Sequence, residues 1–215
     1  MSLAVSSRAL PADRLFFGGM GVAMCLTVWY GFAPTFYLAR PDAPSLSPIV
    51  YAHGLVATAW MLLFLAQVAL VGAQRVDLHR RLGALAAALA VALIVATAAA
   101  SIEVRGLTPR VTFSAGAVVM FAIYVAAGFH QRRRPDAHKR LMLLATVTLL
   151  PPAIARMPFI PDGSVPPNLV GLLYLLPAFA YDWALLRRIH PTILWGGAFM
   201  IVMLPLRYYF RAYIS

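Results

Sequence analysis

Apolar residues fill seven stretches close to the roughly 20 residues that a helix needs to cross a bilayer. They cover 15–38, 49–72, 82–101, 111–129, 141–160, 168–186 and 192–209. Turn formers and charges gather between them: Arg40 to Pro44, Gln74 to Arg81, Glu103 to Arg110, Gln131 to Arg140, Pro161 to Pro167, and Arg187 to Pro191. The pattern predicts an all-α, polytopic membrane bundle of seven helices, a single transmembrane domain over 1–215. The first stretch is too long for the apolar core of a signal peptide, and no small-residue cleavage site follows it. It reads as a retained span.

Composition strengthens this picture. The chain is 62% hydrophobic and 12% charged, whereas a soluble domain is about a quarter charged and under half apolar. The net charge of +11 does not point to nucleic acid, because the basic residues stand in short clusters between apolar runs. That arrangement sets topology and touches anionic headgroups. Arg8, Arg14, Arg75, Arg80, Arg81, Arg132, Arg133, Arg134, Lys139, Arg140, Arg187 and Arg188 fall on one side. Arg40, Arg105, Arg110, Arg156, Arg207 and Arg211 fall on the other. The denser side is expected to be cytoplasmic, with the N-terminus inside and the C-terminus outside a bacterial inner membrane. A retinal protein needs a lysine in its last span, and the sole lysine, Lys139, lies in a loop. The single cysteine, Cys25, excludes an intrachain disulfide and reads as a small core residue.

Pro34, the pair Pro151-Pro152, Pro177 and Pro205 interrupt spans. Each removes a backbone hydrogen bond and bends its helix. The alanine-rich third span permits close helix approach and is expected near the centre.

A segment repeats. Arg75-Val-Asp77-Leu-His79-Arg80-Arg81-Leu82 returns as Arg134-Pro-Asp136-Ala-His138-Lys139-Arg140-Leu141, an offset of 59 residues. Each copy opens a span, as duplication of a hairpin would produce. A looser third version runs from Asp182 through Arg187 and Arg188 to His190. Asp77 and Asp136 are placed to cap their helices, and the basic residues can reach headgroup phosphates. Neither role requires imidazole at the same place twice.

His79, His130, His138 and His190 gather at the basic ends of spans, and His53 lies about one turn inside the other end of the second. Imidazole is a frequent metal ligand and binds haem iron. Two facing helices that each offer one histidine at equal depth would hold a b-type haem or another metal. His53, Trp60, Gln67 and Gln74 recur every seven residues and so line one helix face, drifting only about 20° per repeat. Such a stripe faces the bundle interior, as interhelical hydrogen bonding or as the wall of a polar path. Asp182 lies inside the sixth span, where an acid is costly and points to function. An arginine or histidine of the repeated loops suits it better than Arg187 or Arg188. For Arg156, in the fifth span, His53, Glu103 and Asn168 are the nearest polar candidates.

In His79-Arg-Arg-Leu-Gly83, His138-Lys-Arg-Leu-Met-Leu-Leu-Ala145 and His190-Pro191 with Trp195-Gly-Gly197, the chain resembles bacterial multi-pass membrane proteins of uncharacterised function. In Tyr51-Ala-His53-Gly54, Trp60 and His79-Arg80 it also resembles cytochrome b561-type proteins. That likeness implies haem held by histidine pairs, one pair toward each face. Here only His53 stands at the outer side, so at most one haem, on the cytoplasmic side, is implied.

Three functions follow as expectations. The first is a redox or cofactor-binding protein using the clustered histidines. The second is a small-solute transporter or binder using His53, Trp60, Gln67, Arg156 and Asp182. The third is a non-enzymatic accessory or assembly factor. A membrane hydroxylase is not supported, since no HxxxH or HxxH pair occurs. No serine stands in a nucleophile elbow. Protein partners and oligomeric state stay open; the lipid bilayer is the one partner the sequence implies.

Overall fold

The computed structural model describes residues 11–105, 109–160 and 166–213, with side-chain environments for 11–104, 115–160 and 166–204. The loops expected to carry Gly106 and Pro161 to Val165 lie outside the described residues.

The described chain is helical and shows no strand: α1 (Pro11–Phe32), α2 (Pro48–Gly72), α3 (Val76–Arg105), α4 (Pro109–His130), α5 (Pro135–Val147), α6 (Pro151–Ile154), α7 (Pro167–Leu172), α8 (Leu175–Leu186) and α9 (Pro191–Tyr213). Four are long and apolar enough to cross a membrane by length and composition: Pro11–Tyr37, Pro48–Gly72, Val76–Val104 and Pro167–Leu186. Ala115–His130 and Pro191–Leu204 are shorter apolar helices.

Proline decides where helices stop. Its ring collides with the carbonyl four residues back and it offers no N–H. Pro151 therefore bars helix through Val147, where α5 ends. The chain turns at Thr148–Leu150, with Thr148 Oγ1 donating to the Ala145 carbonyl at 2.6 Å, and restarts as α6. The expected fifth span, 141–160, is thus not one continuous helix. Pro177 acts in the same way on Leu173, where the continuous apolar stretch Pro167–Leu186 carries a turn between α7 and α8. Pro34 shifts the end of α1 into a π-helical turn, Ala33–Tyr37, closed by Leu38 N–H donating to the Ala33 carbonyl at 2.7 Å. At the start of α2, Ser47 caps the Val50 N–H at 3.3 Å, and Pro48 fills the first helical position.

The core is apolar and continuous, from Met24 on α1 through Trp60 on α2, Leu93 on α3, Phe121 on α4 and Leu144 on α5 to Ile193 on α9. Helix α4, not the alanine-rich α3, sits at the centre, packed against α3, α5 and α9. The alanines of α3 (Ala86, Ala90, Ala100) let it lie close to its neighbours, while Leu85, Val91 and Val95 point outward. Close approach needs one small face, and it does not require burial of the opposite face. Cys25 is half-buried at the α1–α2 contact, its Sγ 3.7 Å from the Met61 carbonyl.

Candidate functional site

The two copies of the repeat meet. His79 is the fourth residue of α3 and His138 the fourth of α5, so each ring leaves the first turn of its helix at the same level. Their ring centres lie 6.2 Å apart with the planes at 83°. His138 Nδ1 donates to the Gly128 carbonyl of α4 at 2.8 Å, which makes Nε2 the unprotonated nitrogen of the neutral ring. Gly128 eases this approach, since a Cβ there would meet Met142 Sδ at 2.8 Å and the flexible Met142 side chain would have to move aside. The Gln67 carbonyl of α2 stands beside the His79 ring, and His79 Nδ1 is buried without a hydrogen-bond partner. One turn further along α3, nothing lies within 4 Å of where a Cβ of Gly83 would be.

The separation has a chemical meaning. With metal–nitrogen bonds near 2.0 Å, each imidazole centre lies about 3.2 Å from the metal, so ligands on opposite sides lie about 6.3 Å apart. Two ligands of a tetrahedral ion would be closer, at about 5 Å. The His79–His138 spacing is compatible with ligation from opposite sides, and it is also the spacing of an edge-to-face ring contact, whose centres lie about 4.5–7 Å apart. Among the described residues, no group of three or more His, Cys, Asp or Glu could hold a metal ion.

The other two expected ligands do different work. His130 is exposed at the end of α4. His190 precedes α9, and its Nδ1 accepts the Thr192 N–H at 3.2 Å. Burial pushes the His190 imidazole below its usual pKa and the Arg140 charge adds to this, against an opposing pull from Asp182. A capping nitrogen has to be unprotonated, which agrees with that direction.

Asp182 is fully buried on α8. Its partner is Arg140, from the second copy of the repeat. Arg140 Nε reaches Asp182 Oδ1 at 3.0 Å and Oδ2 at 3.3 Å, and Nη2 also binds Oδ1. The His190 backbone N–H donates to Asp182 Oδ2 at 3.0 Å. Arg140 is itself 2% exposed, and its Nη1 donates to the Asp136 carbonyl at 2.9 Å. Beside it, Lys139 bridges Asp13 of α1 and Asp136, each at 2.8 Å. Phe17 and Tyr181 lie against the two cations. Asp136 is not the helix cap expected of it. It stands inside the first turn, and Arg134 is the N-cap residue. The hydrogen bond from Lys139, with the nearby charges of Lys139 and Arg140, holds its carboxyl below the usual range. The first copy lacks this clasp, and Arg80 and Arg81 are exposed.

The seven-residue stripe is only partly interior. Trp60 is 2% exposed and packs edge-on against Phe121 at 4.9 Å. Trp60 Nε1 and Gln67 Oε1 are buried without hydrogen-bond partners. His53 Nδ1 lies 3.3 Å from Thr97 Oγ1 of α3. Gln74 falls beyond the end of α2, in a left-handed turn with φ of 62°, and is exposed. Arg156 donates to the Pro152 carbonyl at 2.6 Å and lies 4.7 Å from the Phe32 ring centre. A groove of about 360 Å³ near that end is lined by Leu26, Thr27, Trp29, Tyr30, Met157 and Phe159. It reaches neither Asp182 nor the histidine pair.

No family model, curated protein or solved structure matches this chain. The site is therefore read from its own geometry. Sequence reasoning missed Gly128 as the acceptor for His138, and Asp13 as a partner of Lys139. Ten and 126 residues separate these pairs, and no local spacing marks either contact.

Proposed function

We propose that this protein is a multi-pass membrane redox protein that binds one b-type haem between His79 and His138. The observation that carries the reading is the pairing of the repeated histidines. They come from matching positions of two repeat copies, at one level, with a spacing compatible with two imidazoles on opposite sides of a metal. His138 is oriented by the Gly128 carbonyl in the way that outer hydrogen bonds fix the ring of a ligating histidine. The buried, unpartnered Nδ1 of His79 and the space beside Gly83 suit a group entering there. Bound haem would supply reversible one-electron transfer. The chain's own residues hold the two rings in place, and Arg75, Arg80, Arg81 and Arg132 to Arg134 give that end a positive rim suited to haem carboxylates and lipid headgroups.

The seven apolar stretches and the basic clusters further support a seven-span topology in a bacterial inner membrane. The N-terminus and the histidine pair would then be at the cytoplasmic face. Solute transport through Asp182 has less support, because that carboxylate is fully engaged by Arg140 and the His190 N–H. An accessory role without a cofactor would reduce the pairing of His79 with His138 to an edge-to-face ring contact.

An absorption spectrum of the detergent-purified protein, as isolated and after dithionite, tests the reading. The expected result is a Soret band that sharpens on reduction and is lost in His79→Ala and in His138→Ala, while His130→Ala keeps it. A colourless protein from a haem-replete host would overturn it.

A further inference from the structure

We infer that Asp182, a buried carboxylate on α8, is a positioning residue that sets His138 as a ligand through Arg140. The inference rests on the haem reading above. His138 stands in the first turn of α5, where helical N–H groups have no partner within the helix. Such a turn is ordinarily pinned by a side-chain cap, but the N-cap residue of α5, Arg134, makes no cap hydrogen bond. Tertiary contacts do the pinning instead. Lys139 ties the turn to Asp13 of α1 at 2.8 Å, and Arg140 ties it to the buried Asp182 of α8.

These anchors lie on a different side of the helix from the metal-facing ring. His138 and Arg140 are two residues apart, so their side chains leave the helix about 200° apart. His138 turns toward α3 and α4, and Arg140 toward α8. The clasp therefore acts on His138 through the backbone of the turn. Arg140 reinforces that backbone directly, since its Nη1 donates to the Asp136 carbonyl within the same turn at 2.9 Å. Asp182 is itself fixed by the His190 N–H at 3.0 Å, which carries the register of the α8–α9 connection into the ligand's position. His79 has no such device, because Arg80 and Arg81 of the first copy are exposed. The repeat has thus diverged into one clasped and one unclasped ligand.

The test must separate positioning from simple support of the fold. Replacing both members of a buried ion pair by apolar residues of similar volume commonly leaves a protein as stable as before. The double variant Arg140→Met with Asp182→Leu is the informative one, with Asp182→Asn beside it. In the double variant we expect an unchanged thermal unfolding midpoint for the haem-free protein. We also expect haem affinity lower by up to about tenfold, the lower end of what loss of a ligand's direct hydrogen-bond partner costs. The ferric spectrum should shift from low-spin toward high-spin, as His138 leaves the metal. Arg140→Lys, which keeps a cation facing Asp182, should restore part of the low-spin signal. A double variant that keeps the wild-type low-spin spectrum and affinity would overturn the positioning role while leaving the haem reading intact. A colourless wild type would overturn both. If the double variant does not accumulate, Asp182→Asn decides by the same spectral shift.

Discussion

Substituting Gly31 by alanine should destabilise the protein, whereas the same change at Gly18, on the same helix, should not. A Cβ on Gly31 would stand 2.2 Å from the carbonyl oxygen of Ala153 and 2.8 Å from its Cα. Both are backbone atoms of α6, a short helix that opens with two prolines after a tight turn and is flanked by the buried core residues Leu150 and Ile154. No side chain can swing aside. To reach ordinary contact, α1 and α6 must separate by about an ångström, opening the interface that buries Met24 and Val28. Overpacking of this kind costs about 1–3 kcal/mol, and a backbone obstacle argues for the upper half. Around Gly18, nothing lies within 4 Å of an added Cβ, and alanine exceeds glycine in helix propensity by about 1 kcal/mol. Gly18→Ala should therefore be neutral or stabilising. Equilibrium unfolding of the two variants in mixed micelles, titrated with a denaturing detergent, measures the difference directly. Equal midpoints for Gly31→Ala and wild type would refute the α1–α6 contact.

Two further expectations concern stability. The folded-state pKa of His190 lies below its ordinary value. Its stabilising contribution is therefore complete above the unfolded pKa of about 6.5 and is lost as pH falls through the interval below it. Stability followed from pH 7.5 to 5 should decline less in His190→Asn, which cannot take up that proton; parallel curves would discount the capping role. Tyr124 donates to the Gly196 carbonyl at 2.6 Å, joining α4 to α9. Tyr124→Phe should cost about 0.5–1.5 kcal/mol, the net contribution of one hydrogen bond, because the Gly196 carbonyl lies within α9 and keeps its helical N–H partner. Unfolding midpoints would show this, and an unchanged value would remove that bond from the α4–α9 contact.

Helices and their approximate limits were legible along the chain because lipid leaves little choice. Without water, each backbone N–H and C=O must be paired within the segment, so apolar runs become helices. The proline positions were legible too, and the structure breaks or distorts helices at Pro34, Pro151 and Pro177, whereas α9 runs on through Pro205 against expectation. How severe a break would be was not legible. Whether a proline kinks a span or ends it depends on what satisfies the freed carbonyls, and at Pro151 the hydroxyl of Thr148 and a buried turn do so. The repeat likewise announced that His79 and His138 occupy equivalent helical positions, since duplication copies local structure.

Whether equivalent positions meet was decided only by tertiary packing. The side chains of α3 and α5 come together because α4 lies between and behind them, with Gly128 admitting α5 closely enough for His138 to reach its carbonyl. The same packing separated the four clustered histidines into a pair, an exposed residue and a helix cap, although all four look alike in sequence. Asp182 shows the division most plainly. Its depth in an apolar stretch was enough to demand a cation, because an unpaired carboxylate there is prohibitively costly. The choice of Arg140, 42 residues away, was fixed by the tertiary arrangement that brings its side chain to α8 and not by any spacing along the chain.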